Sequence, residues 1–532
     1  MTKEKTPSDC IKALYQRISF PQKTAFAAAV LVGFAAHLYQ FTNKLYNYDE
    51  LVNTPGGYGI GAELGRWFLQ LMAKVVSAVF RGNYSLPLLT GILSLLLLAA
   101  AAMLLVEIFH VKDGLSAALI GGLSVAFPSV TCMYFFMFTA IFYAIGNFMS
   151  ILAAYLAIKY PKSIPAHAAA VVLLACSLGT YQAYFPNTVC IFLISVILLC
   201  AFSEETQSWK YIFFTALRYL AVLVAGLGVY FAANKFFQRI WNVSSVSYQG
   251  MDTMGHITAE QLTASVKLCY RNFAQLFTEN LMGLSPVAVF RKALLLGVLA
   301  TLLCMAALLA ARRREIVKNI FLAVGIGLLP VAMFLVNIMA PDSYVYALMV
   351  YPAVFLLIFP VVWADAFYLK KEMHVLLRTG MQWIAALMSV AVIGVYIWFA
   401  NGCYMGLEYT KYHDLSYYQA IVTQIKSLSG YSSKMPVIFV GMEQPDDDTD
   451  EAGSLIGKVF QMDGKSESNI GGNMKFFIMS QYLGFTPEFG NYEEIRAWME
   501  REEVREMPGY PEDGAIRIID GTVIVKMSDY EL

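Results

Sequence analysis

Two carboxylates stand side by side at Asp49 and Glu50. A carboxylate within hydrogen-bond reach of a hydroxyl can take its proton, so this pair is the first candidate for general-base chemistry. Neighbouring residues point in different directions in a helix or a strand. One of the two would therefore do the chemistry, while the other orients a partner or an ion. The bland alternative is a solvated loop pair, or partners of Lys44. Candidate cations lie elsewhere. Lys235 and Arg239 are four residues apart on one helical face, Arg291 and Lys292 are adjacent, and Arg66 sits between Gly65 and Trp67. Guanidinium and ammonium groups hold oxyanions, Arg in bidentate fashion. Tyr181, Gln182 and Tyr184 add phenol and amide groups in one tight turn.

The elements that must position these side chains are membrane helices. The chain has 532 residues, of which 58% are hydrophobic and only 14% charged, with a mean hydropathy of +0.57. A soluble domain carries about 25% charge. The composition excludes a chain that is soluble throughout, a disordered chain and a nucleic-acid binder, and points to a polytopic α-helical membrane protein. A spanning helix needs about 20 apolar residues. Eleven stretches qualify, roughly 23–42, 85–108, 113–130, 134–158, 165–179, 181–202, 211–233, 290–311, 317–340, 344–366 and 380–400. The weakest are 113–130 and 165–179, which are short or interrupted by Gly and Pro. The first run lacks a convincing cleavage site and reads as a retained transmembrane helix.

Lys and Arg in short loops mark the cytoplasmic side. With the N-terminus inside, every internal loop carries them: Lys112, then Lys159 and Lys162, Lys210, Arg312 to Arg314 with Lys318, and Lys370, Lys371 and Arg378. Eleven spans then place the C-terminal part outside the cell membrane, whereas an even number would place it inside. Lys235, Arg239, Arg291 and Lys292 fall on the outer side, against the trend. Snorkelling to lipid headgroups is the bland account of them.

The net charge of zero hides an asymmetry. Residues 1–400 hold 27 Lys+Arg and 16 Asp+Glu, whereas residues 401–532 hold 11 and 22. A basic membrane domain, 1–400, is thus followed by an acidic soluble domain, 401–532. The outer segments are 43–84, 234–289 and the tail. In the tail, Tyr418–Leu428 predicts a helix and Val437–Val440 a buried strand. Glu493–Arg501 predicts another helix, and Ile516–Ile519 with Val523–Val525 a hairpin about Asp520-Gly521. That is a small extracytoplasmic α/β domain. The eight cysteines show no CxxC and no framework spacing, so neither a disulfide scaffold nor a zinc site is expected.

In the first outer segment Asp49-Glu50 lies just past the first span, and a Pro55-Gly56-Gly57 turn follows. Gly61 to Arg81 predicts a helix with Leu64, Phe68, Leu71, Val75 and Val79 on one face and Glu63, Arg66, Gln70 and Lys74 on the other. Such a helix lies in the interface plane. An acidic pair after the first span followed by an interfacial helix is the layout of GT-C membrane glycosyltransferases. The local text NYDE, GAELGRW and SLGTYQAYFPNT, at residues 47–50, 61–67 and 177–188, resembles the bacterial GtrII-type glucosyltransferases. The resemblance covers most of residues 30–400. An Asp-Glu pair stands here where Asp-Asp is frequent, which leaves open which carboxylate is catalytic.

The resemblance implies an enzyme that takes glucose from a polyprenyl-phosphate carrier and attaches it to a cell-surface glycan on the outer face of the membrane. Displacement at the anomeric carbon needs a base for the acceptor hydroxyl, with Asp49 the first choice and Glu50 the second. The leaving phosphate needs positive charge. Arg66, Lys235, Arg239, Arg291 and Lys292 are the candidates, and Tyr181 and Gln182 could hydrogen-bond the sugar. Arg66 could instead pair with Glu63, and the tyrosines could form an interfacial belt. A direct displacement inverts the anomeric centre. No cofactor is expected. A lone acidic pair is sparse for a divalent metal, and a phosphate leaving group can be handled by Arg and Lys. Expected partners are the polyprenyl-linked donor, the glycan acceptor and membrane lipid, with no nucleic acid.

Three rivals remain open: a flippase or transporter of lipid-linked sugars, a surface-polysaccharide polymerase, and a non-catalytic assembly protein. Charges within the spans are few. Arg218 and Asp365 lie near inner ends, where snorkelling accounts for them, and no ionisable chain crosses the midplane, which counts against ion-coupled transport. Asp446, Asp448 and Asp450 alternate like the start of a calcium loop, but Glu451 and Gly457 stand where an EF-hand needs Gly and Glu. His256 and His413 lack metal-ligand spacing, and Gly471-Gly472 reads as a turn.

Overall fold

Apolar runs of this length have no water to satisfy their backbone in a bilayer, so they become helices. The structure, a computed structural model, describes residues 6–53, 56–202, 208–246, 257–311, 315–371, 373–442 and 473–529. Among these residues, 10 helices are long and apolar enough to cross a membrane. The remaining expected stretch, 165–179, is the 17-residue helix Ile164–Thr180. The chain folds into two compact units. The first comprises Met1–Lys44, Pro55–Asn401 and Lys458–Gln461, and the second Leu45–Thr54, Gly402–Gly457 and Met462–Leu532.

In the first unit the leading helix, Phe20–Thr42, begins on a capping box. Ser19 Oγ accepts the Gln22 N–H, and Gln22 Oε1 accepts the Ser19 N–H. The first part of its buried stripe is small, Ala25, Ala29, Gly33 and Ala36, and His37, Gln40 and Phe41 are buried beyond it. Small residues at this spacing let helix backbones approach closely without a hydrophobic drive from water. The helix packs on Pro87–Ile108 and Gly114–Ala126. A Cβ at Gly121 would run into the Ala25 carbonyl oxygen. The stretch Gly114–Phe135 is not straight. Phe127 is extended (φ −57°, ψ 136°) ahead of Pro128, because proline disfavours a helical predecessor.

Asp365 departs from its expected role. It is 5% exposed, and its two carboxylate oxygens accept the backbone N–H groups of Lys112 and Asp113, each at 3.0 Å. The carboxylate holds the turn between two spans and does not snorkel to lipid.

The second unit is built around a three-stranded sheet: β1 (Val437–Val440), β2 (Ile516–Ile519) and β3 (Thr522–Lys526), in the order β1-β3-β2. β1 and β3 are parallel, with Val437 opposite Val523, and β2 and β3 are antiparallel. The expected hairpin turn is present. Asp520 (φ 47°) and Gly521 (φ 76°) both adopt positive φ, as a two-residue type I′ connection requires. The expected helix near residue 493 is Tyr492–Met499. Tyr418–Leu428 lies at the end of one continuous 53-residue helix, Val375–Ser427. Tyr418, Ile421 and Ile425 from that helix meet Phe439, Ile478, Val523 and Val525 in one core, to which Tyr46 and Leu51 also belong.

Candidate active site

In the first unit the interfacial helix is broken, not continuous from Gly61 to Arg81. A 3-10 turn, Ala62–Leu64, is followed by Gly65 at φ +74°, and the α-helix runs from Trp67 to Phe80 with Arg66 as its N-cap. Gly61 O accepts both the Leu64 and Arg66 N–H groups at 3.0 Å. Glycine is required at 65 for two reasons. Its φ is in the left-handed region, and any Cβ would press on the Tyr230 hydroxyl and lie 2.8 Å from Gln182 Nε2.

Three glutamines hold this turn by its backbone. Gln70 Oε1 accepts the Ala62 N–H (2.9 Å), Gln238 Nε2 donates to Ala62 O (3.0 Å), and Gln182 Nε2 donates to Leu64 O (2.7 Å). Gln182 Nε2 also bonds Tyr230 Oη at 3.0 Å. The Gln182 amide nitrogen is thus committed to shaping the Arg66 turn. Arg66, half-buried, lies over the Tyr181 ring with its guanidinium carbon 5.1 Å from the centroid. Tyr181 in turn stacks on Tyr143 at 4.8 Å and meets Tyr184 edge-on at 5.5 Å. An aromatic face attracts a guanidinium, so the Tyr181 ring helps to hold Arg66 in place. Trp67 stacks on Phe237 at 5.0 Å and packs where Gly179 has no side chain.

The helix Trp67–Phe80 has one side packed on protein and one exposed. Leu69 and Ala73 pack on Phe142, whereas Val75, Val79 and Phe80 are exposed. The exposed side therefore carries the apolar stripe that an interfacial helix turns to lipid.

Lys235 and Arg239 occupy the last turns of Trp209–Trp241 and are both exposed. With Gln238, Asn242, Val243 and Ser244 they line a cavity of about 460 Å³. Cations near a helix C-terminus also complement its dipole, so the pair has a structural role as well. Gln238 and Phe237 tie this helix end to the Arg66 turn. Arg291 and Lys292 open a different helix, Ala288–Ala311. Arg291 Nη1 donates to Ser285 O at 2.8 Å and so secures the preceding turn, while Lys292 is exposed.

Asp49 and Glu50 fold with the second unit, in the first turn of the short helix Tyr48–Asn53. Asn47 Oδ1 accepts the Glu50 N–H at 2.8 Å and starts the helix. The two carboxylates part as the helix demands: Asp49 is exposed and Glu50 is 1% exposed. Within this unit Tyr46, 1% exposed, lies beside Asp414, which is fully buried, and its ring sits 5.2 Å from that of Tyr482. The Tyr46 hydroxyl feels Asp414 both through its charge and through a side-chain hydrogen-bond interaction. Burial first, then the nearby carboxylates, push the Tyr46 and Tyr482 phenols well above their ordinary value, Asp414 acting on the former and Glu50 on the latter. Lys411 Nζ lies 5.7 Å from the Tyr482 centroid.

Gln238, Tyr143, Tyr230 and Asp414 carry no motif in the sequence. Among the described residues no group of three His, Cys, Asp or Glu could hold a metal ion. Asp446, Asp448, Asp450, His256 and Gly471-Gly472 lie outside the described residues. A family model described as glucosyl transferase GtrII matches residues 38–357. No curated protein and no solved structure matches the chain.

Proposed function

The chain belongs to the GtrII glucosyltransferase family, and from that premise we propose that it moves a hexose, glucose first, from a polyprenyl-phosphate carrier to a cell-surface glycan. The reaction runs on the outer face of the cell membrane. The Lys and Arg of the short loops support a cytoplasmic N-terminus, and with Ile164–Thr180 counted as an eleventh span the C-terminal unit is extracytoplasmic.

The acceptor hydroxyl gives its proton to the Asp49 carboxylate, and its oxygen forms the new bond to the anomeric carbon. The bond from that carbon to the carrier phosphate breaks, and the electron pair leaves with the phosphate. Attack opposite to departure inverts the anomeric centre. Asp49 is preferred to Glu50 because it is exposed and can reach a substrate. Charge collecting on the phosphate is met by Arg66, with Lys235 and Arg239 as further donors. Arg and Lys can meet the charge of this leaving group without a metal.

The observation that carries the reading is the family match over residues 38–357, which includes both Asp49 and Arg66. The test is sugar transfer by purified protein in nanodiscs, with radiolabelled polyprenyl-phosphate-glucose and a crude surface glycan. Asp49→Asn should lower transfer by about 10²–10⁴-fold and keep donor binding. Loss in Glu50→Gln alone would move the base by one residue. Specific donor binding with no transfer by the wild type would overturn the reading in favour of lipid-linked sugar translocation.

A further inference from the structure

The second unit contains a cleft that none of this chemistry uses. It opens where the two parallel strands end, at Val440 of β1 and Lys526 of β3, and has a volume of about 580 Å³. Ligand sites fall in the range of roughly 300–1,000 Å³, and open α/β sheets bind at the carboxyl ends of their strands. One wall comes from the helix Tyr492–Met499. Tyr492, Arg496 and Met499 follow each other at helical spacing along it, and Arg505 faces the same space.

Each polar group there has a definable state. Lys526, 3% exposed, donates to Arg505 O (2.7 Å) and Met507 O (2.6 Å) and pairs with Asp529 at 2.7 Å. It builds the floor and is not offered to a ligand. Arg496 reaches Glu500 only at 4.0 Å, with the two side chains 73% and 68% exposed. Such a pair is worth little and opens readily. Arg505 uses Nε on Met499 O at 3.3 Å, which fixes the plane of its fork. The Tyr492 ring is 64% exposed at the rim.

This mixture selects by chemistry. A lipid or other apolar ligand would strip water from two guanidiniums and a carboxylate without replacing its hydrogen bonds. A phosphate or carboxylate would meet Glu500 and Asp529, which line the same space as the arginines. Neutral hydroxyls suit both signs at once: they donate to Glu500 and accept from the arginine forks. The C–H face of a pyranose can lie on the Tyr492 ring, with Val440 and Met499 as apolar floor. We propose that this cleft is a binding site for a neutral oligosaccharide, formed by Tyr492, Arg496, Glu500 and Arg505. The choice of a glycan as partner rests on the transferase reading, but binding here does not require transfer.

The test is calorimetric titration of the full chain in nanodiscs with maltohexaose and laminarihexaose, and with trigalacturonate and inorganic phosphate as anionic probes. Saturable binding of a neutral probe is expected, weakened about tenfold or more in Arg505→Ala and Tyr492→Ala and kept in Tyr492→Phe. Arg496→Lys, which keeps the charge and loses the fork, should also weaken it. Protection of Arg496 and Arg505 from phenylglyoxal by the neutral probe needs no variant and is expected in the wild type. No binding of either neutral probe, binding indifferent to these substitutions, or tighter binding of an anionic probe overturns the site. Binding without transfer would leave the site standing and remove the transferase reading. Transfer without binding would do the reverse.

Discussion

Both units surround a charge with tyrosines, but the charges have opposite sign. In the first unit Arg66 rests on the face of Tyr181, which is backed by Tyr143, and the turn that presents it is tied by glutamines to backbone carbonyls. In the second, Asp414 and Glu50 lie buried near Tyr46 and Tyr482. A ring face attracts a cation, whereas a carboxylate favours the neutral phenol that keeps its proton. One residue type thus serves two ends: the first arrangement holds a guanidinium against a ring face, and the second fixes a short helix in which Asp49, beside the buried Glu50, stays exposed.

The largest expected effect lies on the acidic side. Asp49→Asn should lower transfer by about 10²–10⁴-fold, the usual worth of a positioned base, with the thermal midpoint unchanged because the side chain is exposed. A midpoint that falls with the activity would turn Asp49 into a structural residue and break the comparison. On the cationic side, Arg66→Ala should cost about 10²–10³-fold in kcat, and Arg66→Lys should recover little, since an ammonium lacks the flat fork that suits a ring face. Full activity in Arg66→Lys would show that charge alone suffices.

A pair of glycines sharpens the contrast next. Gly65 and Gly521 have nearly the same φ, 74° and 76°. Gly521→Ala meets open space and should lower stability by about 1 kcal/mol through backbone strain alone. Gly65→Ala meets Tyr230 and Gln182 as well, so it should cost more and reduce transfer together with stability. Equal effects in unfolding and transfer assays would mean that the Gln182–Tyr230 clamp does not position Arg66.

The smallest effect is alkaline. The Tyr46 phenol is raised above its ordinary 10.0 by burial, then by Asp414, so folding holds a proton that the unfolded chain releases. Stability is therefore full below about pH 10 and falls as pH rises beyond it. Tyr46→Phe should flatten that fall, measured as midpoints about one unit either side of the free phenol value. An unchanged slope would remove Tyr46 from the acidic cluster.

The sequence announced what depends on near neighbours. Strand β1 is a short apolar run bounded by Pro436 and Gly441, and the Asp520-Gly521 turn needs only its own two residues. The membrane helices follow from length and hydropathy, and the local text around Arg66 was enough to suggest the family. The break at Gly65 was not legible, because the pattern from Gly61 to Arg81 is helical throughout and its interruption depends on Gln182, Tyr230 and Gln238, far along the chain. Asp365 looked like a lipid-facing charge because the two N–H groups it accepts lie about 250 residues away. Asp414 has no motif around it, and its burial beside Tyr46 arises only when Leu45–Thr54 joins the second unit.

That last grouping has a consequence in time. Leu45–Thr54 leaves the ribosome early, while the residues it folds with begin at Gly402. At ~5–20 residues per second the wait for those roughly 350 residues is about 20–70 s. Throughout synthesis the segment that bears Asp49 lacks its core, and a chain cut short anywhere before the tail never assembles it. A chain that stops short of the tail leaves this segment without the residues it packs against.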